Sequence, residues 1–212
     1  MTPILSTQDL VLRKGDAPET FNIGRGLTLL NTRRESDSTL LSLALAGRFN
    51  PHSGTIFLDG EETATRQRFK DVALAGVTEI DSLERLVRIR DVVREQIAWS
   101  QGFFARTPRT SEAIKSHPHV EKWLEPLQLT DIDLMAQVGD IGPTDRFRLR
   151  VLLSLIARPD AKMLIVDDVD QVRKMDIRKK ILGDLRGVAA YLPVMVNTVN
   201  AVSYTHLTLP TK

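Results

Sequence analysis

The chain has 212 residues, enough for one substantial core with a smaller lobe and a tight fit for two independent domains. Its 42% hydrophobic and 26% charged residues exclude a disordered or fibrous chain, and 29 basic against 27 acidic residues leave a net charge of +2, no footprint for nucleic acid. The absence of cysteine excludes disulfides and thiolate catalysis and suits a reducing compartment.

Residues 4–12 mix polar and apolar positions and predict an edge strand, followed by a turn from Lys14 to Pro18. Gly26 to Leu30 is a short apolar run between turn signals, the pattern of a buried strand. Thr39 to Ala46, rich in leucine and alanine and stopped by Gly47, predicts a helix. Ser53 to Gly60 then runs into Asp-Gly, a hairpin signature, and Asp71 to Val77 is strand-like. Between Ile80 and Asp140 the pattern becomes amphipathic and helical, which predicts a helical insert. Trp99, Phe103 and Phe104 sit at helical spacing within it; a place in the core is expected, a docking surface being the other assignment.

Thr144 to Ala157 opens on a Thr-Asp capping pair and predicts a helix, and Lys162 to Asp168 predicts a buried strand closing on two carboxylates. A further helix over Met175 to Ala190 and a strand at Pro193 to Asn197 follow. Alternation of strand and helix around a helical insert is the mark of an α/β sandwich with a mainly parallel sheet. No run reaches the roughly 18 apolar residues of a membrane helix, and no signal-peptide pattern opens the chain, so neither a span nor export is expected. Val202 to Thr211 reads letter for letter as the in-frame translation of a sequencing-library transposon end. Residues 201–212 are therefore expected to be an adapter-derived, non-native tail without function.

Two stretches carry a resemblance to a known family. "STLLSLALAGRFNPHSGTIFLDG" is similar to the segment after the phosphate loop in the ATP-binding cassette (ABC) transporter ATPases, and "RPDAKMLIVDD" is similar to the run into their Walker B strand. The resemblance spans nearly all of residues 4–200. It implies a P-loop NTPase-like cassette over residues 1–200, with an N-terminal antiparallel β part and a helical subdomain at about 80–145. It also implies ATP and magnesium as cofactors. A membrane permease, a second cassette subunit in a homo- or heterodimer, or both would be the partners. The place would be cytoplasmic, peripheral at the inner face of the cell membrane.

The motifs of that family are replaced one after another. In G-x-x-x-x-G-K-[ST] the glycines let backbone N–H groups curl around phosphate and the lysine supplies charge. The matching positions run from Asn31 to Ser38, with Asn31 and Ser36 in place of the glycines and Asp37 in place of the lysine. Exchanging attraction for repulsion at about 4 Å costs up to about 8 kcal/mol before screening. A helix-initiating loop capped by Asp37 and Ser38 is the favoured assignment. Arg13 and Lys14 stand where an adenine-stacking aromatic is expected, and Glu79 falls where a glutamine reports on the membrane partner. Ile141 to Asp145 replaces Leu-Ser-Gly-Gly-Gln, and Val199 takes the place of the switch histidine.

Walker B is best kept. By resemblance Asp167 and Ser38 would hold magnesium, Ser38, Thr39, Arg33 and Arg34 would meet the nucleotide, and Asp168 stands in for the catalytic glutamate, one methylene short. The expected function is that of an ABC transporter ATP-binding-subunit homologue with impaired nucleotide binding and hydrolysis, acting with a permease or an intact cassette partner. The alternative is an active ATP-hydrolysing subunit with an atypical phosphate loop. Basic runs such as "RFRLR" are read as solvated helix faces, not as a nucleic-acid surface.

Overall fold

The computed structural model describes residues 2–32, 37–77, 83–102, 104–172 and 174–198. Arg33, Arg34, Ser36, Glu79, Phe103, Val199 and the tail at 201–212 lie outside them. Two four-stranded sheets organise the chain. The first is antiparallel in the order β2-β1-β4-β5, from β1 (Leu5–Val11), β2 (Asn22–Ile23), β4 (Ser53–Leu58) and β5 (Glu61–Glu62). The second is parallel in the order β3-β8-β7-β6, from β3 (Leu27–Asn31), β6 (Val72–Ala75), β7 (Met163–Val166) and β8 (Val194–Thr198).

Between them run α1 (Asp37–Leu45) and α2 (Thr65–Asp71), then α3 (Ile89–Ser100), α4 (Ser111–Lys115) and α5 (Pro118–Leu124), and finally α6 (Pro143–Ala157) and α7 (Met175–Ala189). The hairpin from β4 to β5 turns at Asp59 and Gly60, both at positive φ (56° and 85°), the twist that a two-residue connection needs.

The parallel strands are apolar on both faces because each face meets a different core. Val72, Leu74, Met163, Ile165 and Met195 point to a cluster with α1 and the antiparallel sheet. Their neighbours Ala73, Ala75, Leu164, Val166, Val194 and Val196 join a second cluster with α3, α5, α6 and α7. Burial on both faces explains why these strands read as continuous apolar runs rather than as alternating ones.

Several expectations are corrected. β1 is not an edge strand: it lies between β2 and β4, with Gln8 and Asp9 exposed and Thr7 buried. β3 is only half-buried, because it is the edge of the parallel sheet. Thr144 and Asp145 do not cap α6; Gly142 is the N-cap without a side-chain bond, Pro143 opens the helix, and Asp145 instead pairs with Arg148 at 2.8 Å. Trp99 and Phe104 are not core residues, being 78% and 95% exposed.

α2 has no counterpart in the sequence expectations. It is docked by a buried arginine, Arg68, whose guanidinium donates to the Ala44 and Thr63 carbonyls and so closes the C-terminal end of α1. Burial lowers the pKa of Arg68 from its ordinary value.

Candidate functional site

The carboxyl ends of the parallel strands converge where open α/β sheets hold their ligands. β3 ends at Asn31, α1 begins at Asp37, and β7 delivers Asp167 to the side of that helix. Asp167 is 1% exposed and both of its oxygens are engaged. Thr39 Oγ1 donates to Oδ2 at 2.6 Å, and Ser42 Oγ donates to Oδ1 at 2.8 Å. Asn197, arriving on β8, donates from Nδ2 to Ser42 Oγ at 2.6 Å, to the Ser38 carbonyl at 3.0 Å and to Asp167 Oδ1 at 3.5 Å.

Thus three of the residues singled out in the sequence, Ser38, Thr39 and Asp167, are brought together. Ser42 and Asn197 were missed. Their signal was present: Ser42 is a lone polar residue in the apolar run "LLSLAL", and Asn197 follows the apolar run "VMV". A polar side chain buried in such a run needs a partner, and these two find each other.

Asp168 follows at φ 41° and ψ 66°, a left-handed conformation, and opens a 3₁₀ turn at Val169–Gln171. Burial first, then the neighbouring carboxylates of Asp167 and Asp170, push its pKa above the usual carboxylate range. Asp170 is held by Arg178 and accepts from the Thr198 hydroxyl. Gln171 donates to the Gly76 and Asp168 carbonyls at 3.1 and 3.0 Å, which ties the turn to the end of β6. Gly76 has φ 89°, and a Cβ there would stand 2.3 Å from the Asp167 carbonyl oxygen, so the two backbones touch only because this residue is glycine.

A cavity of about 570 Å³ opens beside the junction of β3 and α1. Its walls include Leu12, Phe21, Leu30 and Leu41 together with the carboxylates of Asp16 and Glu19, and no arginine or lysine among the described residues lines it. Arg13, in the turn where an adenine-stacking aromatic was sought, donates its backbone N–H to Asp16 at 2.7 Å. Thr32 Oγ1, on the cavity wall, is buried without a hydrogen-bond partner among the described residues.

These donor sets suit magnesium and a triphosphate poorly. Among the described residues no group of three or more His, Cys, Asp or Glu side chains is placed to hold a metal ion. Asp167 already takes two hydroxyl donors, and the described wall of the adjacent cavity carries the carboxylates of Asp16 and Glu19.

The segment that replaces the signature motif is equally committed. Arg148, 5% exposed, bonds Asp145 at 2.8 Å and grips Asp184 of α7 through two hydrogen bonds of 2.8 and 3.1 Å. Its neighbour Asp145 is therefore part of an ion-pair network joining α6 to α7.

No protein-family model matches the sequence, and no curated protein matches it. Solved structures do. A putative metal-chelate type ABC transporter in an inward-facing conformation aligns over 96% of this chain and 76% of its own, with a TM-score of 0.69 and 17% identity. The cbiO1 protein of Clostridium perfringens, part of the ABC transporter complex cbiONQ, aligns over 93% and 79% with a TM-score of 0.69 and 16% identity. A putative ABC transporter ATP-binding protein from Pyrococcus furiosus aligns over 94% and 93%, with a TM-score of 0.68 and 15% identity.

The chain has the fold of an ATP-binding cassette. At these identities the likeness is one of architecture, extending over 96% and 94% of this chain in the first and third of these structures. Function on this cassette fold has to be argued from its residues.

Proposed function

We propose that this chain is an ABC-type ATP-binding-subunit homologue in which nucleotide binding and hydrolysis are impaired, and that it acts by docking to a membrane permease or to an intact cassette partner. The observation that carries this reading is the cavity at the β3–α1 junction, lined by Asp16 and Glu19 and, among the described residues, by no cation. A phosphate site needs convergent N–H groups and positive charge. The sequence places Asp37 where the lysine of a phosphate loop would be, which adds to the same repulsion. Asp167, enclosed by Thr39, Ser42 and Asn197, holds α1 against β7 and β8 as a structural group in this reading.

The helices of residues 80–145, within a unit of residues 1–200, would be the docking lobe. Support comes from a groove of about 350 Å³ between α3 and α6, with apolar Leu83, Val92 and Leu153 in its wall and the exposed indole of Trp99 at its side. Exposed aromatics beside an apolar groove are what a protein interface uses. Among the described residues no helix is long and apolar enough to cross a membrane. Association at the inner face of the cell membrane would come through the partner.

Thermal unfolding with and without Mg-ATP tests the nucleotide half of this reading. The midpoint is expected to stay unchanged up to millimolar Mg-ATP. A ligand present at about 100 times its Kd would add about 2.7 kcal/mol, a rise of several degrees, and such a rise overturns the reading.

A further inference from the structure

A second cavity, of about 370 Å³, lies on a different part of the fold, between the start of α6, the 3₁₀ turn at Val169–Gln171 and the start of α7. Half of its wall is apolar, from Pro143, Phe147, Val172 and Ile177. The other half is Arg146, Arg150, Lys174 and Gln171, with no carboxylate lining it among the described residues.

The three cations on this wall form no ion pair within the described residues. Arg146 and Lys174 make no side-chain hydrogen bond or ion pair within the described residues. Arg150 donates from Nη1 to the neutral Gln171 Oε1 at 3.1 Å, while its Nε is buried without a partner. Three cations gathered on one concave wall repel one another, and an anion placed among them removes that cost. Neither α6 nor α7 has a side-chain cap, and the acids of their first turns, Asp145 and Asp176, do not line the cavity.

We propose that this cavity binds a small organic carboxylate with an aromatic or branched aliphatic body. The volume lies near the lower end of the range of about 300–1,000 Å³ for small-molecule sites. Guanidinium groups match the planar carboxylate, which they can hold by paired N–H donors. The apolar half would cover the body of the ligand, and a bare inorganic anion would leave that half wet. The proposal uses neither the β3–α1 junction nor Asp167, so its failure and that of the nucleotide reading are distinguishable.

Isothermal titration of the full chain with 2-naphthoate tests it, with 2-naphthylmethanol as the neutral body, inorganic phosphate as the bare charge and Mg-ATP as competitor. 2-Naphthoate should bind at one site at least about tenfold more tightly than the alcohol and than phosphate. Mg-ATP should not displace it. Arg146→Gln and Lys174→Gln should each weaken binding about twofold to fivefold, as expected for one screened charge, and together about tenfold. Lys70→Gln on α2 should leave it unchanged. Circular dichroism checks that the variants are folded, and the ligand series on the unaltered chain stands without them. Equal affinity for the alcohol, equal affinity for phosphate, displacement by Mg-ATP, or indifference of both folded variants would each overturn the proposal.

Discussion

Ser42 is the residue on which the polar interior turns. Its hydroxyl is fully buried, donates to Asp167 and accepts from Asn197, so one atom joins α1, β7 and β8. Ser42→Ala would leave Asn197 Nδ2 and Asp167 Oδ1 each short of a partner in a water-free place. A loss of about 1–3 kcal/mol in urea unfolding is expected, with little change in the slope of the transition. Gly76→Ala should cost about 2–4 kcal/mol by the same measurement, because the added methyl meets the Asp167 backbone and the φ of 89° is left-handed. In the sequence these positions were visible only as oddities, a serine among leucines and an asparagine in an apolar strand. That Ser42 and Asn197 meet could not be read, because 155 residues separate them and their contact depends on β8 lying next to β3 and β7.

At the scale of elements, α6 and α7 are clamped by Arg148 and Asp184. Arg148→Ala leaves a buried carboxylate unpaired, and a destabilisation of about 3–5 kcal/mol is expected in chemical denaturation. The start of α5 carries a pH dependence of its own. His117 is its N-cap, and Nδ1 accepts from the His119 N–H at 3.3 Å, a role that only the neutral ring can fill. Burial, and after it the adjacent His119, lowers the pKa of His117 below its ordinary 6.5. A folded-state value below the unfolded one means that the cap contributes above about pH 6.5 and is lost as pH falls through the folded value. The urea midpoint should therefore drop between about pH 7.5 and about pH 5. His117→Asn keeps a side-chain acceptor that does not titrate there, and the part of the drop due to the cap should vanish. α6 and β7 were legible because α6 is a long leucine-rich run and β7 is an unbroken apolar run closing on two carboxylates. α2 was not, since Thr65 to Asp71 has no apolar stripe and is held by one buried arginine.

For the whole molecule, alternation of strand and helix was enough to indicate a mainly parallel sheet, and the run after the phosphate-loop position together with the run into β7 led to the cassette fold that the solved structures share. Strand order was beyond reach, because β1 looks like an edge from its polar residues and β3 looks buried from its apolar ones, whereas their neighbours in space decide the reverse. That order has a consequence in time. β8 is the last described strand in the chain, yet it sits inside the parallel sheet and pairs Leu27 to Val194 on one side and Leu164 to Val194 on the other. While the chain emerges from a ribosome, β3 has no neighbour in its sheet until residues 194–198 have been made. A chain stopped at Leu192 is expected to show no cooperative urea transition, and chaperones that hold nascent chains should stay bound until β8 has been released.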